Sequence, residues 1–89
     1  MKTIGTYALQ VTTRLRFEDA IARVTELLAE KGFGVLTEID VKATLKKKLG
    51  LDYKPYKILG ACNPHVAHRA QEAEPYVGVL LPCNVVVWD

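Results

Sequence analysis

Phe17, Ala20, Ile21, Val24, Leu27 and Leu28 stand at i, i+3, i+4, i+7, i+10 and i+11. Only an α-helix gathers that spacing onto one face, so the stretch predicts an amphipathic helix whose apolar stripe must be covered. Glu18 and Asp19 fall in its first turn, where the helix dipole favours negative charge. Gly32 is placed to end it in a left-handed conformation. Asp19 and Arg23, four apart on the outer face, add a weak surface pair. A single such helix cannot bury its own stripe, and the rest of the chain has to supply the surface it packs on.

That surface reads as a sheet. Within residues 4–13, Tyr7, Leu9, Val11 and Thr13 alternate as in a strand. Phe33, Val35, Thr37, Ile39 and Val41 alternate with Gly34, Leu36, Glu38 and Asp40, which predicts a second strand. Asp40 is placed to cap a short helix over 41–49 with Gly50 at its end, and Val41, Leu45 and Leu49 make its apolar stripe. A third strand over 56–62 lies between Pro55 and Asn63-Pro64. Asn at the cap and Pro at the first helical position then start a helix over 64–74, stopped by Pro75. Residues 77–88 are β-branched and apolar on both faces, a covered strand interrupted at Pro82 by a bulge, an edge or a meeting of two strands. The expected fold is one two-layer α+β domain over residues 1–89, with helices packed on one face of a mixed or antiparallel sheet.

Composition sets the limits of that domain. A chain of 89 residues buries only roughly 60–65% of the surface its unfolded form exposes, so its core is thin. Hydrophobic residues at 49% and charged residues at 25% are the balance of an ordinary soluble globular protein. A net charge of +2 is too mild to signal nucleic acid. No apolar run approaches the ~20 residues of a membrane span, and the N-terminal residues carry no secretory pattern. Two cysteines are too few for a disulfide scaffold, which implies a reducing, cytoplasmic setting.

Chemistry concentrates in Leu59-Gly60-Ala61-Cys62-Asn63-Pro64 and its echo Leu80-Leu81-Pro82-Cys83-Asn84. Each places a Cys-Asn pair near the end of an apolar strand. Were the two strands parallel, Cys62 and Cys83 would lie toward one edge of the sheet. Cys62 precedes a helix start, where free amides and the dipole favour a thiolate or a bound anion. On that ground it is expected to react with alkylating reagents faster than Cys83. Small apolar packing is the competing reading for both. With His65 and His68, the two cysteines also make a set that zinc would accept, though the spacing is not that of paired short knuckles. Residues 41–57 hold six lysines against Asp52 alone, and Lys46, Lys47 and Lys48 are candidates for an anion or nucleic-acid contact. Nothing aromatic interleaves those three lysines, which weighs against base stacking. The alternative for them is a solvated helix face.

Signatures of several enzyme classes are absent. There is no phosphate-cradling glycine loop and no His-Glu-x-x-His, and the chain has no serine to serve as a nucleophile. Glu38 and Asp40 share a strand face but read as a solvent-side pair or a cap. The leading reading is a small non-enzymatic binding or interaction domain, self-associating as a homodimer or larger homo-oligomer because thin cores and uncovered strands favour burial between copies. A small-molecule ligand is compatible with it, and no cofactor is required. A thiol-based redox or metal-handling protein using Cys62 and Cys83 is the second reading. An anion or nucleic-acid binder using the lysines of 42–57 is the third.

Phe17 at the helix start, the run from Lys31-Gly32-Phe33-Gly34 through Asp40-Val41, and Thr44-Leu45-Lys46-Lys47-Lys48-Leu49-Gly50 carry a resemblance that continues to the chain's end. Tyr56-Lys57-Ile58-Leu59-Gly60-Ala61-Cys62-Asn63-Pro64 and Leu81-Pro82-Cys83-Asn84-Val85-Val86-Val87 extend it in the same order. Together they resemble the bacterial and archaeal family called domain of unknown function 302. The resemblance implies an α+β fold with a TATA-binding-protein-like arrangement and no firmly attached activity. It also implies a ligand-binding site at Cys62, Asn63, Pro64, Pro82, Cys83 and Asn84. Members of that family continue past the valine-rich strand into another strand and a C-terminal helix. Relative to them this sequence reads as a shortened version or as the ordered part of a longer product, and if the helix is absent its sheet is expected to need a partner surface.

Overall fold

In the computed structural model, which describes residues 1–89, the first stretch is a hairpin rather than the single strand expected over 4–13. Strand β1 (Lys2–Ile4) pairs antiparallel with β2 (Ala8–Gln10), with Lys2 opposite Gln10. The chain reverses at Gly5, whose φ of 56° is left-handed and costs a glycine little. That one residue splits the alternating run in two.

Helix α1 (Phe17–Glu30) forms where the apolar stripe requires it. Its end is a full Schellman motif: Gly32 N–H donates to Ala29 O at 3.1 Å, and Phe33 N–H donates to Leu28 O at 2.8 Å. Gly32 supplies the left-handed φ of 83° that closes it. Arg23 pairs with Glu26 at 3.5 Å, not with Asp19, because the longer glutamate reaches the guanidinium from one turn on.

Strand β3 (Gly34–Asp40) leads directly into α2 (Val41–Leu49), where Ala43 N–H donates to Asp40 Oδ1 at 2.9 Å. After Gly50 and a loop comes β4 (Tyr56–Cys62), then α3 (Pro64–Ala73). Residues 77–82, expected as strand, are not one. A 3-10 helix over Pro75–Leu80 replaces it, and only β5 (Cys83–Trp88) is extended. Pro75 fixes a helical φ, and the Glu74 carboxylate accepts from Tyr76 N–H at 3.1 Å. Val77 N–H donates to Glu74 O at 3.0 Å, so local bonds outcompete the β-branched preference of Val77 and Val79. Helix α3 and the 3-10 helix pack on each other, forming an arm between β4 and β5.

The main sheet has the order β3-β4-β5 and is antiparallel throughout. The parallel arrangement that would set Cys62 and Cys83 on one edge does not occur. The alternation of β4 divides its residues cleanly between two faces. Leu59 and Ala61, both 1% exposed, lie on the face that α1 covers, beside half-buried Val35, Val85 and Val87. Ala20 of α1 is buried against this row. The opposite face carries Tyr56, Ile58 and Gly60 of β4, Ile39 of β3, and Val86 and Trp88 of β5. Gly60 sits where a Cβ would strike Thr37 Oγ1 and come within 2.8 Å of the Pro82 ring.

Leu59 is the one large side chain buried completely, so truncating it removes the centre of the packing. Leu59→Ala is expected to cost about 3 kcal/mol, a large share of what a domain this small holds. Urea denaturation at fixed protein concentration checks it through a lowered midpoint.

Candidate functional site

The six residues Cys62, Asn63, Pro64, Pro82, Cys83 and Asn84 lie at one end of the sheet, where β4 ends and β5 begins. Ala61 stands directly opposite Cys83, so Cys62, one residue on, projects to the other face. The two thiols therefore do not face each other. Cys62 is half-buried and Cys83 exposed. Asn63 Oδ1 accepts from Val66 N–H at 3.4 Å, the helix cap expected of it. Its amide also lies against Gly32, where a Cβ would come within 3.1 Å of Asn63 Nδ2, so one side chain joins the end of α1 to the start of α3. Pro64 occupies the first helical position, and Pro82 leans over Gly60. Asn84 is exposed on the face away from α1.

His65 and His68 are exposed on α3, and His68 Nε2 lies 2.7 Å from Glu72 Oε1. No three His, Cys, Asp or Glu side chains converge where they could hold a metal ion. Cys62, Cys83, His65 and His68 are thus not gathered into a ligand set for zinc. Lys46, Lys47 and Lys48 form the last turn of α2, and Lys46 is engaged by Asp52 at 3.0 Å. A helix C-terminus attracts cations and repels anions, which accounts for lysines there and gives a bound phosphate no help from the dipole.

The strand register assembles a second cluster that sequence spacing does not reveal. Tyr56 pairs with Trp88 across β4 and β5, and the rings stack at 5.5 Å with 9° between planes. Tyr53 tilts toward Tyr56 at 6.1 Å, and Lys54 Nζ lies 5.4 Å from the Trp88 ring centre. Tyr53 and Tyr56 are visible as neighbours in the sequence, but Trp88 joins them only through the pairing of residues 32 apart. Beside this cluster is an open cleft of about 460 Å³ lined by Arg16, Glu18, Asp40, Lys42, Lys57 and Asp89 among others. Three cations face three anions there, so the cleft steers neither sign of ligand strongly.

Lys57 Nζ is 2.6 Å from Glu38 Oε1. The hydrogen bond to Glu38 holds the ammonium above its ordinary pKa, partial burial opposes it, and the carboxylates of Glu38, Asp40 and Glu18 add to the rise. A raised pKa stabilises the fold fully below the unfolded lysine value of about 10.4 and loses that contribution as pH climbs through the folded value. Glu38→Gln is expected to lower stability by about 0.5 kcal/mol at neutral pH, a modest effect because the pair is partly exposed and screened, and by less once strong base deprotonates the lysine. Melting temperature against pH for the two proteins is the check.

Exposure also reverses the expected order of thiol reactivity. Pro64 has no amide hydrogen and Asn63 already takes that of Val66, so little of the helix start remains for Cys62. Cys83 is expected to alkylate faster than Cys62 in the native protein at pH 7, and mass-resolved labelling against the unfolded chain measures it.

No helix is long and apolar enough to cross a membrane. No curated protein matches the chain. Among solved structures, an uncharacterized conserved protein DUF302 from Bacillus stearothermophilus shares the fold with a TM-score of 0.88 at 36% identity. The match covers 96% of this chain and 66% of that one, so the chain spans just under two thirds of that protein's length. The family model described as domain of unknown function DUF302 matches residues 9–89. With the family's pattern running through every element from β2 to β5, and the fold shared with a solved member, this chain belongs to the DUF302 family.

Proposed function

We propose that this domain acts by association, as a small interaction domain whose first partner is a second copy of itself. The observation that supports it is surface area. The chain exposes 7251 Å². A folded monomer of its mass exposes about 5,200 Å² by the usual scaling, an excess of about 2,000 Å². The radius of gyration of 14.8 Å likewise exceeds the roughly 12 Å of a compact chain this long. Excess area of that size is what a chain brings to a large interface between subunits.

Beyond the exposed N-terminal hairpin, part of that area is apolar surface on the sheet and the arm. On the sheet face away from α1, Ile39 is 49% exposed, Trp88 45% and Val86 38%. On the arm, Tyr76 and Val79 are more than four-fifths exposed. Apolar side chains exposed to this degree offer surface for contact with a partner.

Sedimentation velocity from low micromolar to submillimolar concentration tests the reading. A dimer or larger assembly that dissociates on dilution is expected. A monomer throughout that range overturns it.

A further inference from the structure

From the middle of α2 to the approach to β4, every residue between Lys46 and Lys54 is exposed. Val41 and Leu45, half-buried, are the part of the α2 stripe that packs toward β3 and β4. Leu49, next on that stripe, is more than half exposed, and so is Leu51 beyond it. The helix overruns the surface it packs on. Gly50 closes its end with a left-handed φ of 67°. Gly50 N–H donates to Lys46 O at 3.0 Å, and Leu51 N–H donates to Leu45 O at 3.4 Å. Asp52 then holds the returning chain against Lys46. Two leucines and Tyr53 are thus carried on a fixed turn.

Positive charge surrounds this turn. Successive helical residues are about 100° apart, so Lys46, Lys47 and Lys48 ring the end of α2 instead of lining one side. Lys42 stands one turn back, Lys54 follows the loop, and Asp52 is the only acid in residues 41–54. Lysines at this density stay in water unless paired, so the patch keeps its exposure whatever else the chain packs against. We propose that this tip docks on a lipid bilayer bearing anionic headgroups, with Leu49 and Leu51 entering the interface and the lysines around them at headgroup level. A cluster of about four to eight cations on an amphipathic helix is drawn to such a surface, and apolar side chains among them add a second signal. Such docking lies on the membrane and asks for no spanning helix. Residues 41–57 hold no arginine, the side chain suited to gripping single phosphates and base edges. The shallow cleft between α2 and the loop sets Lys42 and Lys46 beside Asp40 and Asp52, so no single anion is gripped there. A diffuse positive field around an apolar point complements a charged bilayer, whereas a nucleic acid would leave the leucines idle. This surface is independent of the self-association argued above.

Vesicle flotation tests the docking, with phosphatidylcholine alone and with phosphatidylcholine mixed with phosphatidylserine. The 89-residue chain is expected to float with the mixed vesicles and not with the neutral ones, and to be released as salt rises from about 0.05 to 0.5 M. Lys47→Glu with Lys48→Glu is expected to weaken partitioning by about tenfold or more. Leu49→Ser with Leu51→Ser is expected to weaken it by about fivefold or more, while changing binding to polyglutamate by less than about twofold. All four side chains are exposed, and thermal melts followed by circular dichroism confirm that the variants fold. Should either pair not fold, lipid selectivity and salt release of the unaltered protein decide. Absence from both kinds of vesicle at low salt overturns the proposal, and so does equal flotation with both. A leucine variant that floats as well as the unaltered chain reveals a surface that reads charge alone, and overturns it too. Duplex DNA or polyglutamate that displaces the chain from mixed vesicles at equal charge concentration assigns the patch to that polyanion instead.

Discussion

Leu59 and Ala61, side by side on one face of the central strand, are the points through which the two layers of this domain are joined. Every other apolar contact of the core is arranged about them: Ala20 comes down from α1, and Val35, Val85 and Val87 flank them on the neighbouring strands. Burial at about 25 cal/mol per Å² rewards such a row, but a row this short rewards only a few side chains. The chain therefore holds its shape as much through the ends of its elements as through its middle. Asp40 caps α2, Asn63 caps α3 while touching Gly32, and Glu74 caps the 3-10 helix. Each closes a helix end whose amides would otherwise be left to water.

The two faces of the sheet consequently belong to different problems. One is solved within the chain by α1. The other presents stacked aromatics and partly exposed branched aliphatics, while the polar cleft beside them balances its charges. A domain so divided places its buried core on one side of the sheet. The membership in DUF302 fits this division without specifying it, since the family carries no assigned activity.

Much of the fold was legible from residue spacing because local rules and global packing agree. Helix α1 follows from its stripe, and α2 and α3 begin and end at the residues whose capping chemistry demands it. β4 matches its expected bounds because Pro55 and Asn63-Pro64 are unambiguous breakers. The failures occur where a short-range signal was overruled by another of comparable size. Gly5 cut an alternating run that looked continuous, and Pro75 with Glu74 bent Val77 and Val79 into a 3-10 helix despite their preference for strands. The candidate site was the least legible part. Side-chain faces depend on register, and register is a property of pairs of strands, so neither the separation of Cys62 from Cys83 nor the meeting of Tyr56 with Trp88 could be read from one segment.

Gly60 carries a consequence of the same kind. It stands in the middle strand, under Thr37 from one neighbour and the Pro82 ring from the approach to the other. If β4 slipped by one residue, Leu59 or Ala61 would be carried into that narrow place, where there is no room even for a single carbon. The vacancy left by a missing side chain thus works as a keyway, admitting one alignment of three strands and refusing its neighbours. In a sheet with few buried residues to enforce their own alignment, the smallest amino acid supplies through exclusion the specificity that a larger core would supply through attraction.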